Sequence, residues 1–220
     1  MEKVWETNRF AGKNPSHTAG FFNSYDTREF TAEQVVAREA PQNAMDAGRG
    51  VKGATRIEFH KLIIEGQKKQ EFLSIFEFRH LLESRVEALR LNPRNNQLAE
   101  NLNKFFSDQP LSMLLIRDFN TCGLGGDWQQ YRPKIDHFAR LVCATNLDDK
   151  ADNDPQSGGS FGLGKTSYAK SSSINTVIYH SVFKGTQETK NKTRRLMVAG
   201  VYPRHKLEDI DYGGFAYFGE

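Results

Sequence analysis

Residues 158–167 read Gly-Gly-Ser-Phe-Gly-Leu-Gly-Lys-Thr-Ser, and the residues before them restrict the available folds more than the motif does. Gly159, Gly164, Lys165 and Thr166 satisfy the G-x-x-x-x-G-K-[ST] spacing of a P-loop. Closely spaced glycines ahead of a helix let backbone N–H groups approach phosphate oxygens, and the helix N-terminus adds a favourable potential, so phosphate binding is expected here. A P-loop, however, must emerge from a buried, apolar, parallel strand. Residues 151–157 include Asp152, Asn153, Asp154 and Pro155, which cannot build one. The apolar runs after residue 173 end in Phe183 and Tyr202, not in the acid that would hold Mg²⁺ in that class. The motif is therefore expected to serve another architecture, with a P-loop NTPase kept as the lesser alternative.

The rest of the chain reads as one α/β domain. At 220 residues, with 38% hydrophobic residues and 16 Phe, it can bury a real core. No apolar run approaches the roughly 18 to 20 residues of a membrane helix, and the N-terminus has no secretory-signal character, so the expected compartment is the cytoplasm. A net charge of +3 implies no global field for nucleic acid or anionic lipid. The basic tract of Lys184, Lys190, Lys192, Arg194 and Arg195 is expected to be a solvated hairpin connection. Cys122 and Cys143 are too few for a zinc or disulfide framework and are expected to be reduced thiols.

Residues 1–30 mix Gly, Asn, Ser and aromatics without period, which predicts an arm lying over the body or reaching a partner. Thr31 and Gln34 form a capping box, and Val35, Val36, Ala40, Ala44 and Ala47 recur at helical spacing, with a kink expected at Pro41. Residues 54–64 and 111–118 read as neighbouring strands. Between them, residues 65–110 form a helical insertion with helices predicted over 78–89 and 97–106. A helical face is predicted over 133–145. Residues 146–159 are polar and Gly/Asp-rich, as in a mobile lid, and 166–173 suit a short helix. Residues 174–183 and 195–202 suit an antiparallel strand pair. The final stretch is rich in glycine and aromatics, without a predicted element.

Two further motifs point to a site. Glu39 and Asn43, spaced i, i+4, project from one helix face. An Asn amide oxygen is a hard ligand for Mg²⁺, and a carboxylate one turn away can orient and deprotonate a water. At residues 118–126 an acid, Asp118, closes a strand and leads into a glycine turn. An Asp so placed, if buried, can accept a hydrogen bond from an exocyclic amine such as adenine N6. Taken alone, each motif is also compatible with an ordinary solvated helix face or a capped turn.

In this order and at these distances the three motifs resemble the GHKL ATPases of the Bergerat fold, the group of gyrase B, MutL, the heat-shock chaperone ATPases, MORC proteins and sensor histidine kinases. Residues 38–47 (Arg-Glu-Ala-Pro-Gln-Asn-Ala-Met-Asp-Ala) look like the N box, 118–125 like the first glycine box and 158–165 like the second. The resemblance implies a two-layer α/β sandwich with a mixed, mainly antiparallel sheet and helices on one face. It implies Glu39 as general base, Asn43 as Mg²⁺ ligand, Asp118 as adenine anchor and Asp46 as its support through water. Gly123, Leu124 and Gly125 would floor the pocket. Gly159, Ser160, Phe161, Gly162, Leu163, Gly164, Lys165 and Thr166 would hold the phosphates, with the Lys165 ammonium neutralising their charge.

The chain departs from the pattern in three ways. Four residues separate Asp118 from Gly123 where the common form has one, which gives Asn120 or Thr121 a contact usually made by backbone. Ala40, Pro41 and Gln42 replace the usual N-box residues. No transducer domain follows to donate a second lysine, so an ATPase module of a longer protein is expected.

By the resemblance, Glu39 favours water over a protein side chain as phosphoryl acceptor, and His80 and His137 are read as ordinary histidines. The implied activity is slow, Mg²⁺-dependent ATP hydrolysis, with lid closure coupled to homodimerisation or to an effector partner. The alternative is a nucleotide-sensing interaction module without turnover. No sequence motif supports contact with nucleic acid or membrane.

Overall fold

The computed structural model describes residues 5–9, 31–127, 136–143, 163–187 and 189–219. The α/β class expected from the sequence is what the chain adopts, with helices layered on antiparallel sheet. Strands β1 (Glu6–Arg9), β4 (Thr176–Val182), β5 (Arg194–Leu207) and β6 (Ile210–Gly219) form one sheet in the order β1-β6-β5-β4. Strands β2 (Arg56–Ile64) and β3 (Leu111–Phe119) form a second, two-stranded ladder. Every strand pair among the described residues is antiparallel.

Helix α1 (Ala32–Gly48) starts where its cap places it. The Thr31 backbone N–H donates to Gln34 Oε1 at 2.8 Å, and the Gln34 N–H donates to Thr31 Oγ1 at 3.3 Å. The helix continues through Pro41, which costs it only the bond that would have reached the Ala37 carbonyl. It packs against α5 (Leu163–Ser171) and the base of the β2–β3 ladder, and Ala169 of α5 lies against Val201 of β5. Alternation along β5 sends Met197, Ala199 and Val201 to this face and Val198 and Tyr202 to the other.

The opposite face is covered by the helical insertion: α2 (Gly66–Ile75), a π-helical turn (Arg79–Glu83), α3 (Ser84–Arg90), a 3₁₀ turn (Pro93–Asn95) and α4 (Asn96–Phe106). Leu73, Phe78, Leu82, Leu89, Leu102 and Phe105 bury themselves there against Val198, Tyr202, Ala216 and Phe218. The insertion therefore adds a layer beneath the sheet. Lys69, 1% exposed, donates to the carbonyls of Ser107 (2.5 Å) and Gln109 (2.8 Å), so a buried ammonium ends α4.

Three elements were not legible in the sequence. Helix α2 conceals its period because the buried position at Lys69 is polar. Strand β6 carries Gly213, Gly214 and Gly219, which mask its alternation. The arm contributes strand β1, and Trp5 ahead of it is buried between Phe78 and Phe218, with Nε1 donating to the Phe76 carbonyl at 2.7 Å. The remainder of residues 1–30 and the lid at 146–159 lie outside the described residues. Among those described, no helix is long and apolar enough to cross a membrane. Because Trp5 fixes both β1 and the insertion, Trp5→Ala should cost roughly 3 to 5 kcal/mol, read from urea denaturation of the two chains.

Candidate functional site

Glu39 and Asn43 lie on the side of α1 that meets α5. Glu39 is 4% exposed, and Arg38 donates to its Oε1 from Nε (3.1 Å) and Nη2 (2.8 Å). Asn43 donates from Nδ2 to the Tyr168 hydroxyl of α5 at 3.2 Å. That bond fixes the carboxamide rotamer. The Asn43 oxygen has no donor among the described residues, so the atom suited to a hard cation is the one left open.

Tyr168 joins the motifs. Burial raises its hydroxyl above the ordinary phenol range, and the nearby carboxylates of Glu39 and Asp118 push the same way against the bond from Asn43. The hydroxyl therefore keeps its proton throughout the physiological range and accepts from Asn43. The N-box-like helix thus bonds this phenol through Asn43, and carboxylates on that helix and near the end of β3 act on it through space. Nothing in the sequence marked Tyr168, since an aromatic on a short helix is ordinary core material.

Asp118 closes β3 opposite Ile57 and is exposed, where the sequence reading required burial for an amine contact. The loop behind it is fixed at several points. Asn120, at φ 58°, donates its amide to the Ala54 carbonyl at 2.8 Å, a contact that anchors the loop to the start of β2. The Cys122 N–H reaches the Ala47 carbonyl at the end of α1 (2.8 Å), and the Leu124 N–H reaches Ser181 Oγ on β4 (2.8 Å). Gly123 sits at φ 70°, and a Cβ there would collide with the Val182 carbonyl oxygen. Thr121 is half-buried beside it, and Gly125 lies under the Phe183 ring.

The strongest restraint on this loop comes from Arg195. Its guanidinium donates from Nη1 to the Leu124 carbonyl (2.9 Å) and from Nη2 to the Gly126 carbonyl (2.6 Å), held over the rings of Phe138 and Phe183. Arg195 is 7% exposed. This corrects the reading of the basic tract as wholly solvated, because one of its members is a buried clamp. Sequence offers one weak signal for it, the alternation that turns Arg195 inward beside Met197.

No protein-family model, characterised protein or solved structure matches the chain.

The other expected site residues fall as follows. Asp46, one turn beyond Asn43, is half-buried and pairs with Arg49 at 3.0 Å. Residues 163–166, with Leu163, Gly164, Lys165 and Thr166, form the first turn of α5, as a glycine motif opening a helix should. Gly159, Ser160, Phe161 and Gly162 lie outside the described residues. Among the described residues, no three His, Cys, Asp or Glu side chains gather to hold a metal by themselves.

Gly123 tests the loop. Both Gly123→Ala and Gly50→Ala place an L-residue at positive φ, which costs about 1 kcal/mol, but nothing lies within 4 Å of a Cβ at Gly50. Gly123→Ala should therefore be less stable than Gly50→Ala by roughly 1 to 3 kcal/mol in chemical denaturation.

Proposed function

We propose that this chain is a Mg²⁺-dependent ATP-binding domain of GHKL (Bergerat) type that hydrolyses ATP slowly. The observation that carries the reading is the bond from Asn43 to Tyr168 beside the buried Glu39, with Asp118 near enough to act on the same phenol electrostatically. Two motifs about eighty residues apart meet on the helix that the second glycine motif opens. The antiparallel pairing of all described strands also argues against a P-loop NTPase, which is built on parallel strands.

The residues fit the groups this function needs. Mg²⁺ keeps several waters and takes only one or two protein oxygens beside substrate phosphates, so the open Asn43 carboxamide oxygen is a sufficient protein ligand. Bound there, the ion would offset charge on the phosphate oxygens. Glu39 would accept a proton from the attacking water as its oxygen bonds to the terminal phosphorus and the bond to ADP breaks. Asp118 would accept from the adenine amine over the loop that Arg195 holds. Lys165 and the N-terminus of α5 would face the phosphates, under a lid at 146–159 whose closure couples nucleotide state to a second copy of the chain or to a partner.

One observation favours nucleotide sensing without turnover. Arg38 engages Glu39 Oε1 through two hydrogen bonds, and that oxygen must leave them to act on water.

Phosphate release measured beside binding of a fluorescent ATP analogue separates these readings. Glu39→Gln should lower release by about 10²- to 10⁴-fold and leave binding intact. Unchanged release would remove Glu39 as the base, and binding without release in the wild type would establish the sensing module. Tyr168→Phe, which deletes the oxygen that orients Asn43, should weaken Mg²⁺ affinity by about 10- to 100-fold, read as a higher Mg²⁺ concentration for half-maximal release, while metal-free nucleotide binding persists.

A further inference from the structure

On the insertion side of the sheet, remote in sequence from the motifs above, Arg85 and His205 line one small cavity with Thr7, Tyr202, Tyr212 and Gly214. Arg85 is 8% exposed. Its guanidinium donates from Nη1 to the Leu81 carbonyl at 2.5 Å and lies 4.8 Å from the centroid of the Tyr212 ring. Among the described residues it has no carboxylate partner and no other hydrogen bond. Buried charges are ordinarily paired, and a guanidinium carries five N–H donors, so this one lacks its counter-charge.

His205, 6% exposed, stacks on Tyr212 and has the complementary defect. Its Nδ1 lies 2.8 Å from the Pro203 carbonyl. A carbonyl can only accept, so Nδ1 carries the hydrogen. Nε2 is buried with no partner. In the neutral ring it is a lone pair with no donor, and in the protonated ring it is a second cation beside Arg85. Neither state is satisfied by the described residues alone.

We propose that this cavity binds a small monovalent anion, a halide or a single carboxylate, together with one proton taken up by His205 Nε2. The ion supplies the counter-charge Arg85 lacks and accepts from the Nε2–H that its own charge stabilises. The cavity is small, with about 10 Å³ of space, which favours a halide or the head of a single carboxylate over sulfate or phosphate. Thr7 lies on its wall, so the occupant joins α3, β5 and β6 beneath strand β1 and holds the N-terminal strand in place.

The proton linkage has a definite sign. Burial lowers the His205 imidazole below its ordinary range, Arg85 lowers it further, and the bond to Pro203 opposes them. The titratable groups that line the cavity with it are Arg85 from α3, Tyr202 on its own strand and Tyr212 across the ladder. Neighbouring Arg204 and Lys206 are spent on exposed pairs with Asp211 (3.0 Å) and Asp209 (2.9 Å). With the cavity empty, stability is complete above the unfolded-state value near 6.5 and is lost as pH falls from there toward the depressed folded value. An anion raises the folded value and shrinks that loss.

The experiment is an NMR titration of the histidine side chains of the full chain at fixed ionic strength in sodium chloride, sodium formate and sodium gluconate. His205 is assigned by its absence from the spectrum of His205→Gln. Chloride and formate should raise the His205 midpoint by about one pH unit relative to gluconate, and Arg85→Gln should abolish the difference. Equal midpoints in the three salts would overturn the proposal and leave the cavity to water. Should Arg85→Gln fail to fold, wild-type melting at pH 5.5 decides instead. Chloride must raise the midpoint temperature over gluconate, by more than it does at pH 8 and by more than it does in His205→Gln.

Discussion

The buried Arg195 guanidinium is the contact on which the arrangement around the candidate site most depends. A loop with three glycines between residues 123 and 126 has no side chains to hold it and loses much backbone entropy on ordering. Arg195 offsets that cost with two charge-assisted bonds to loop carbonyls, made where the guanidinium is shielded from water by Phe138 and Phe183. The clamp stands on β5, one of the two strands with partners on both edges, so the loop inherits the position of the sheet centre. The same loop also donates the Cys122 N–H to the Ala47 carbonyl at the end of α1, which refers that helix and the loop to one frame.

Within that frame the contact between α1 and α5 is polar where most helix contacts are apolar. Asn43 and Tyr168 bond across it beside a buried Glu39, an expensive arrangement for a core and a useful one for a site. The phenol keeps its proton chiefly because it is buried, with both carboxylates adding to that effect. A polar contact between two chain segments 125 residues apart supports the nucleotide reading more than any single motif does.

The parts of the fold that were legible in the sequence are those with local rules. The capping box at Thr31 and the alternation of β2 through β5 follow from periods and hydrogen-bonding groups within a few residues. Strand β6 and helix α2 escaped because their patterns are interrupted, by glycines in one and by Lys69 in the other, whose burial depends on carbonyls some forty residues away. For the site, the spacing of Glu39 and Asn43 identified a face, and the Asp118 turn identified a strand end. Tyr168 and Arg195 were beyond reach because their roles are set by partners 125 and about 70 residues distant in the chain. An arginine in a basic tract reads as solvated until the pleat that turns it inward is known.

The central claim is that these segments assemble one nucleotide site. A crystal structure of the chain with Mg²⁺ and a nonhydrolysable ATP analogue tests it most directly. The account predicts the adenine amine on Asp118, the metal on the Asn43 carboxamide oxygen and the terminal phosphate within reach of Glu39 and the start of α5. A nucleotide bound elsewhere, or one seated with its phosphates at Asp118 and its base toward Glu39, would contradict it.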